Sequence, residues 1–165
     1  NTQDIVTTGG GTAIQARTGH AFLKQALRDT GAVYGGEMSA HHYFRDFMAC
    51  DSGMIPWLLV ASLLSAQNTS LADLLADRRA AFPSSGEINY LLDDAEAAVD
   101  RVIAALEPEA QGRDDTDGVG LDFGTWRLNL RRSNTEPLLR LNVEARGDAA
   151  LVTVGVARVE ALIKG

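Results

Sequence analysis

Cysteine is almost missing from this 165-residue chain, where Cys50 stands alone. One thiol excludes an internal disulfide and fits a reducing compartment, so a cytoplasmic setting is the expectation. Long apolar runs are missing as well. The stretch Ile55 to Leu64 is about one core helix long and carries Pro56 near its start, which is too short for a membrane span. Cations are scarce: 15 Lys and Arg stand against 22 Asp and Glu, for a net charge of -7. That balance argues against nucleic acid as the main partner, because a phosphate backbone demands a basic footprint. No membrane partner is expected either. A basic-then-apolar leader is absent, and the chain opens on Asn1, so a fragment or a processed product is expected. Finally, the sequence shows no nucleophile with its base and no metal-binding acidic cluster.

What is present is ordinary globular material, 45% apolar and 22% charged, with a length that suits one or two domains. The first half reads as alternating strands and helices, an α/β unit with function on strand-to-helix loops. Thr18 is a plausible N-cap for a helix over 19–29, whose stripe is Phe22, Leu23, Ala26 and Leu27, and Gly31 marks its stop. Residues 32–34 read as a strand leading into Gly35-Gly36. Asp51 or Ser52 caps a buried helix from about Met54 to Ser65, and a short helix follows from Leu71 to Arg78. The turn-rich run Phe82-Pro83-Ser84-Ser85-Gly86 marks a boundary, dividing the chain into 1–82 and 83–165. Beyond it come a strand over 87–92, a helix capped by Asp93 or Asp94, and a polar loop over 111–118. Strands over 119–123, 126–130 and 137–145 follow, with a last helix capped by Asp148. The second half is therefore α+β, one antiparallel sheet with helices on one face.

Two loops carry chemistry. In Gly35-Gly36-Glu37-Met38-Ser39-Ala40-His41 the glycines let backbone approach a ligand, and Glu37 and Ser39 are suited to vicinal sugar hydroxyls. A plain turn with a solvated Glu37 is the alternative. In Arg131-Arg132-Ser133-Asn134-Thr135-Glu136-Pro137, alternation puts Arg131 on the polar face with Arg127 and Asn129. A guanidinium grips phosphate bidentately while hydroxyl, amide and backbone donors complete a cradle. A surface turn with a solvated arginine is the alternative there. His20 sits at a helix N-terminus, where an anion is favoured, and His41 suits donation to an anion or hydroxyl. His41, His42, Cys50 and Asp51 show no zinc-type spacing, so no metal is assigned. The acidic run 114–118 lacks the bidentate glutamate of a calcium loop.

Together, Arg17-Thr18-Gly19-His20, Gly36-Glu37-Met38-Ser39-Ala40-His41 and the Arg131–Pro137 run resemble the α-D-phosphohexomutase superfamily, in its bacterial phosphomannomutase/phosphoglucomutase branch. Met38 and Asn134 separate that branch from glucosamine mutases, which tend to have glutamine and glycine there. The resemblance covers nearly the whole chain and implies the C-terminal part of domain 3 (1–82) followed by domain 4 (83–165). It implies that Glu37, Ser39, His41 and His20 read the sugar, and that Arg131, Ser133, Asn134 and Thr135 hold the non-reacting phosphate. It also implies interconversion of hexose 1- and 6-phosphates through a hexose 1,6-bisphosphate. The phosphoserine and magnesium loops of such enzymes belong to domains 1 and 2, and neither pattern occurs here. The chain is thus expected to be inactive alone, with no catalytic residue of its own. Its expected partners are a phosphosugar and the missing N-terminal domains, plus association through an exposed sheet edge in an incomplete first half. The other reading is a free-standing phosphosugar-binding or interaction module. Arg17 replaces a common lysine and Ala40 a common glycine.

Overall fold

A computed structural model describes residues 1–133 and 136–165. The chain divides into two compact units, Thr2–Leu74 and Leu75–Gly165, Asn1 grouping with the second. The division falls inside a helix, upstream of the turn-rich run at 82–86.

The first unit holds α1 (Thr2–Thr8), α2 (His20–Thr30), α3 (Met54–Gln67) and the start of α4 (Leu71–Ala81). Its strands are very short: β1 (Tyr34–Gly36), β2 (His42–Phe44) and β3 (Cys50–Asp51), antiparallel in the order β1-β2-β3. The core is small, with Leu23 and Leu27 of α2 packing with Tyr43 and Ala49. Gly35 serves this packing rather than a turn, because a Cβ there would meet the Leu27 side chain at 2.7 Å. Gly31 ends α2 in the left-handed conformation at φ 68°, as its position predicts.

Several local expectations are corrected. The N-cap of α2 is Gly19, at φ 125°, with no side-chain cap, so Thr18 does not fill that role. The strand is 34–36, not 32–34, because pairing with β2 runs through both glycines. Ser52 supports the start of α3 through its hydroxyl, which accepts from the Ile55 N–H at 3.3 Å, although the N-cap residue is Gly53. The expected burial of α3 fails outright. None of its residues is buried, and Trp57, Leu58 and Leu59 each expose more than half of their surface. Apolar composition predicts burial only when something covers the helix, and nothing in the described residues does so. No single described helix is long and apolar enough to cross a membrane.

The second unit is a five-stranded antiparallel sheet in the order β4-β8-β7-β6-β5. The strands are β4 (Ser84–Leu91), β5 (Gly112–Asp114), β6 (Val119–Asp122), β7 (Trp126–Arg132) and β8 (Leu138–Ala145). Strand β5 lies inside the stretch read as loop, where three residues were too few to signal themselves in sequence. Helices α5 (Ala95–Leu106) and α6 (Ala149–Lys164) start at Asp94 and Asp148, whose carboxylates accept from the backbone of Ala97 and Ala150. The period-2 pattern of β8 decides its faces: Leu139, Leu141, Val143 and Ala145 are buried, while Arg140, Asn142 and Glu144 alternate away from them. The buried set packs with Leu128 and Leu130, with Val102 and Leu106 of α5, and with Val159 and Ile163 of α6. Gly155 lets α6 approach closely, since a Cβ there would press on the Trp126 ring at 2.9 Å. Helices thus cover one face and leave the polar strand residues on the other.

Candidate functional site

In the first unit Glu37, Ser39 and His41 of the expected sugar-reading set form the tip of the β1–β2 hairpin, and His20 starts α2. The Glu37 N–H donates to the His41 carbonyl at 3.0 Å, and the Ala40 N–H donates to the Glu37 carbonyl at 3.1 Å. The loop therefore links two antiparallel strands rather than a strand and a helix. Ala40 adopts φ 64° to close it, the position where hairpin loops of this length favour glycine. Met38 and Ser39 are exposed at the tip, with Met38 76% exposed.

Glu37 is half-buried and held at both oxygens. One accepts from the Gly19 N–H at 3.2 Å and the other from the Tyr43 hydroxyl. Burial, then the Glu37 hydrogen bond and the charges of Glu37 and Asp51, push the Tyr43 phenol far up, so it stays a donor. A carboxylate fixed in this way is preorganised to accept from ligand hydroxyls on its remaining lone pairs. His20, the first residue of α2, brings its ring to 4.4 Å from that of His41. His41 Nδ1 is 2.7 Å from Asp51 Oδ2, and Asp51 Oδ1 accepts from the His42 N–H at 3.0 Å. Those two bonds, the His41 one first, hold the Asp51 carboxyl below its ordinary range. An acceptor-only carboxylate leaves the proton on His41 Nδ1 and Nε2 free to face a ligand. Thus Glu37, His20 and His41 are brought together, with Ser39 beside them on the same tip. Asp51 was missed as part of this set, since a separation of ten positions hides a contact that only β2–β3 pairing creates. Arg17 lies over the Phe22 ring, 4.5 Å from its centre.

In the second unit Arg131 leaves β7 on the polar face, and β-pairing sets Arg140 of β8 directly opposite. Glu87 of β4 bridges the two guanidiniums, at 3.6 Å from each. Asp117 approaches Arg131 Nε at 3.8 Å, and Glu136 approaches Arg140 at 3.7 Å. Two like charges face to face repel, so this arginine pair needs anionic company. The polar atoms at this face are incompletely used: among the described residues Arg140 Nε is buried without a hydrogen-bond partner, as is Asn142 Oδ1. The Ser133 N–H donates to the Leu138 carbonyl at 2.8 Å, and the Ser133 hydroxyl accepts from the Glu136 N–H. The expected phosphate ligands Asn134 and Thr135 lie outside the described residues. Arg140 was not singled out from sequence, although alternation along β8 already put it on the Arg131 face.

Magnesium finds no fit in this set. The metal-capable cluster among the described residues is His20, His41 and Asp51, two imidazoles and one carboxylate, whereas Mg²⁺ demands oxygen ligands.

Residues 1–82 match the family model for phosphoglucomutase/phosphomannomutase, alpha/beta/alpha domain III, and residues 87–161 match that for the C-terminal domain of the same family. The chain is 57% identical to a phosphomannomutase of Escherichia coli over 164 residues, covering 99% of this chain and 36% of that protein. It is 56% identical to phosphohexose mutases of Xanthomonas campestris pv. campestris (strain B100), covering 100% of this chain and 37% of that protein. A solved phosphoglucomutase/phosphomannomutase family protein from Burkholderia thailandensis superposes with TM-score 0.75 at 27% identity, covering 99% of this chain and 35% of that one. The chain thus spans a little over a third of the length of these relatives.

Proposed function

The chain belongs to the phosphoglucomutase/phosphomannomutase family, and on that premise we propose that it supplies substrate recognition to a hexose-phosphate mutase reaction. The reaction interconverts hexose 1-phosphate and hexose 6-phosphate through a bisphosphorylated intermediate. In this reading 1–82 recognises the sugar and 83–165 the phosphate that does not react. Glu37 accepts from sugar hydroxyls, Ser39 adds a short-range donor, His41 offers Nε2 as a further acceptor, and His20 closes the set. Arg131, with Ser133, Asn134 and Thr135, holds the phosphate, and Arg140 adds a second guanidinium opposite Arg131. The observation that carries the reading is the Glu37 carboxylate, held half-buried between the Gly19 N–H and the Tyr43 hydroxyl beside two imidazoles.

Phosphoryl transfer also needs a nucleophile, a metal and an in-line geometry. A magnesium ion would supply electrostatic stabilisation of the transferring group, and the residues to hold it belong to the portion of the relatives that this chain does not span. The chain by itself is a recognition part without turnover. Two measurements test this. The 165-residue chain, its mass verified near 17.6 kDa, is expected to show no conversion of glucose 1-phosphate. In a full-length protein carrying this segment, Arg131→Ala is expected to raise KM and lower kcat together, because one phosphate site serves both orientations of the intermediate. Turnover by the chain alone overturns the division of labour, and unchanged kinetics in Arg131→Ala removes that arginine from the site.

A further inference from the structure

Spacing along the chain groups His41, His42, Cys50 and Asp51, but folding sorts them differently. His42 Nδ1 turns to the Tyr34 hydroxyl at 2.7 Å, and the Cys50 thiol faces the Met48 carbonyl at 3.8 Å. In their place His20 arrives from the start of α2. One ligand atom each of His20, His41 and Asp51 lie within 4.8 Å of one another. We propose that these three side chains form a reversible binding site for a divalent transition ion of the zinc class, with a fourth coordination position left open.

The donor set selects the ion. Two imidazole nitrogens and one carboxylate oxygen suit Zn²⁺ and its borderline neighbours and disfavour the hard, oxygen-seeking Mg²⁺. Three protein ligands with an open fourth position is also the ligand count of catalytic rather than closed structural zinc sites. Bonds of about 2 Å in tetrahedral geometry separate ligand atoms by roughly 3.3 Å. The His41–Asp51 contact, now 2.7 Å, must open slightly, and His20 must close. His20 is exposed at the first residue of its helix and is held by ring-edge contacts to His41 and Tyr43, which a small rotation adjusts, whereas Asp51 is anchored by the His42 N–H. The ion takes the place of the His41 Nδ1 proton as the bridge to Asp51, and that proton moves to Nε2. His20 and His41 are also the imidazoles proposed above to read the sugar, so the ion and a phosphosugar compete. That competition, unlike the metal site itself, rests on the proposed function.

The test is titration of the 165-residue chain with Co²⁺ alone, followed by visible absorption. One equivalent of Co²⁺ is expected to give the intense bands of four-coordinate cobalt, and Zn²⁺ to displace them. His20→Ala and Asp51→Asn are each expected to weaken binding by about tenfold or more, while His42→Ala stays within about twofold of the original chain. His20 is exposed, so His20→Ala tests ligation without a folding defect, checked by an unchanged far-UV circular dichroism spectrum. Only the pale bands of hexaaquo cobalt, or wild-type affinity in His20→Ala, overturns the site. Glucose 1-phosphate added to the cobalt-loaded chain is expected to lower the apparent cobalt affinity. Cobalt binding that depends on His20 yet ignores the sugar phosphate sustains the metal site and overturns the sugar-reading role of the imidazoles.

Discussion

At the scale of single residues, Ala40 shows how a site is shaped by backbone cost. Its φ of 64° closes the hairpin tip that carries Glu37, Ser39 and His41, in a conformation that costs a non-glycine L-residue about 1–2 kcal/mol. The sequence showed alanine where glycine is common, and the structure supplies the reason glycine suits the position. Ala40→Gly is therefore expected to stabilise the chain by about 0.5–1 kcal/mol, the gain reduced by glycine's greater freedom when unfolded. Urea denaturation checks this, and a loss of stability in that variant contradicts the strain. Glu37 and Arg131 were both legible as candidates from residue type and alternation. Their partners were not. Tyr43 meets Glu37, and Arg140 and Glu87 meet Arg131, only once the strands pair, which single-residue chemistry cannot report.

Among the elements, the strands and helices of the second unit followed their patterns, because one buried face imposes period 2 on β8 and helical spacing on α5 and α6. Strand β5 escaped notice since three residues carry no period. Helix α3 is the opposite case. Its sequence reads as a core helix, yet it is uncovered, with Trp57 62% and Leu58 55% exposed. Exposed apolar surface of this kind favours association. At micromolar concentration the chain is expected to bind a hydrophobic dye and to elute ahead of a monomer in size-exclusion chromatography. The double variant Trp57→Lys/Leu58→Lys is expected to lose most of that signal while its stability changes by less than about 0.5 kcal/mol. A clean wild-type monomer that ignores the dye would refute this.

Across the whole molecule, the two units differ in how much they bury. The second packs two helices on a five-stranded sheet around a contiguous core, whereas the first gathers Leu23, Leu27, Tyr43 and Ala49. Local stability follows buried contacts, so amide hydrogen exchange is expected to be slowest in β7, β8 and α6 and fastest in α1 and α3. Uniform protection over both units would contradict that ordering. The resemblance carried by Arg17–His20, Gly36–His41 and Arg131–Pro137 was enough to point to the family that both domain matches show, and hydrophobic periodicity was enough for the α+β second half. These are properties of local sequence, since periodicity and side-chain chemistry act over a few residues. What the tertiary structure alone decided is who meets whom. It set His20 against His41 and Asp51, Arg140 opposite Arg131, and Glu87 between the two arginines. It also left α3 bare. Contacts between distant residues depend on pairing register and on what covers each face, and neither is written in the spacing of residues along a chain.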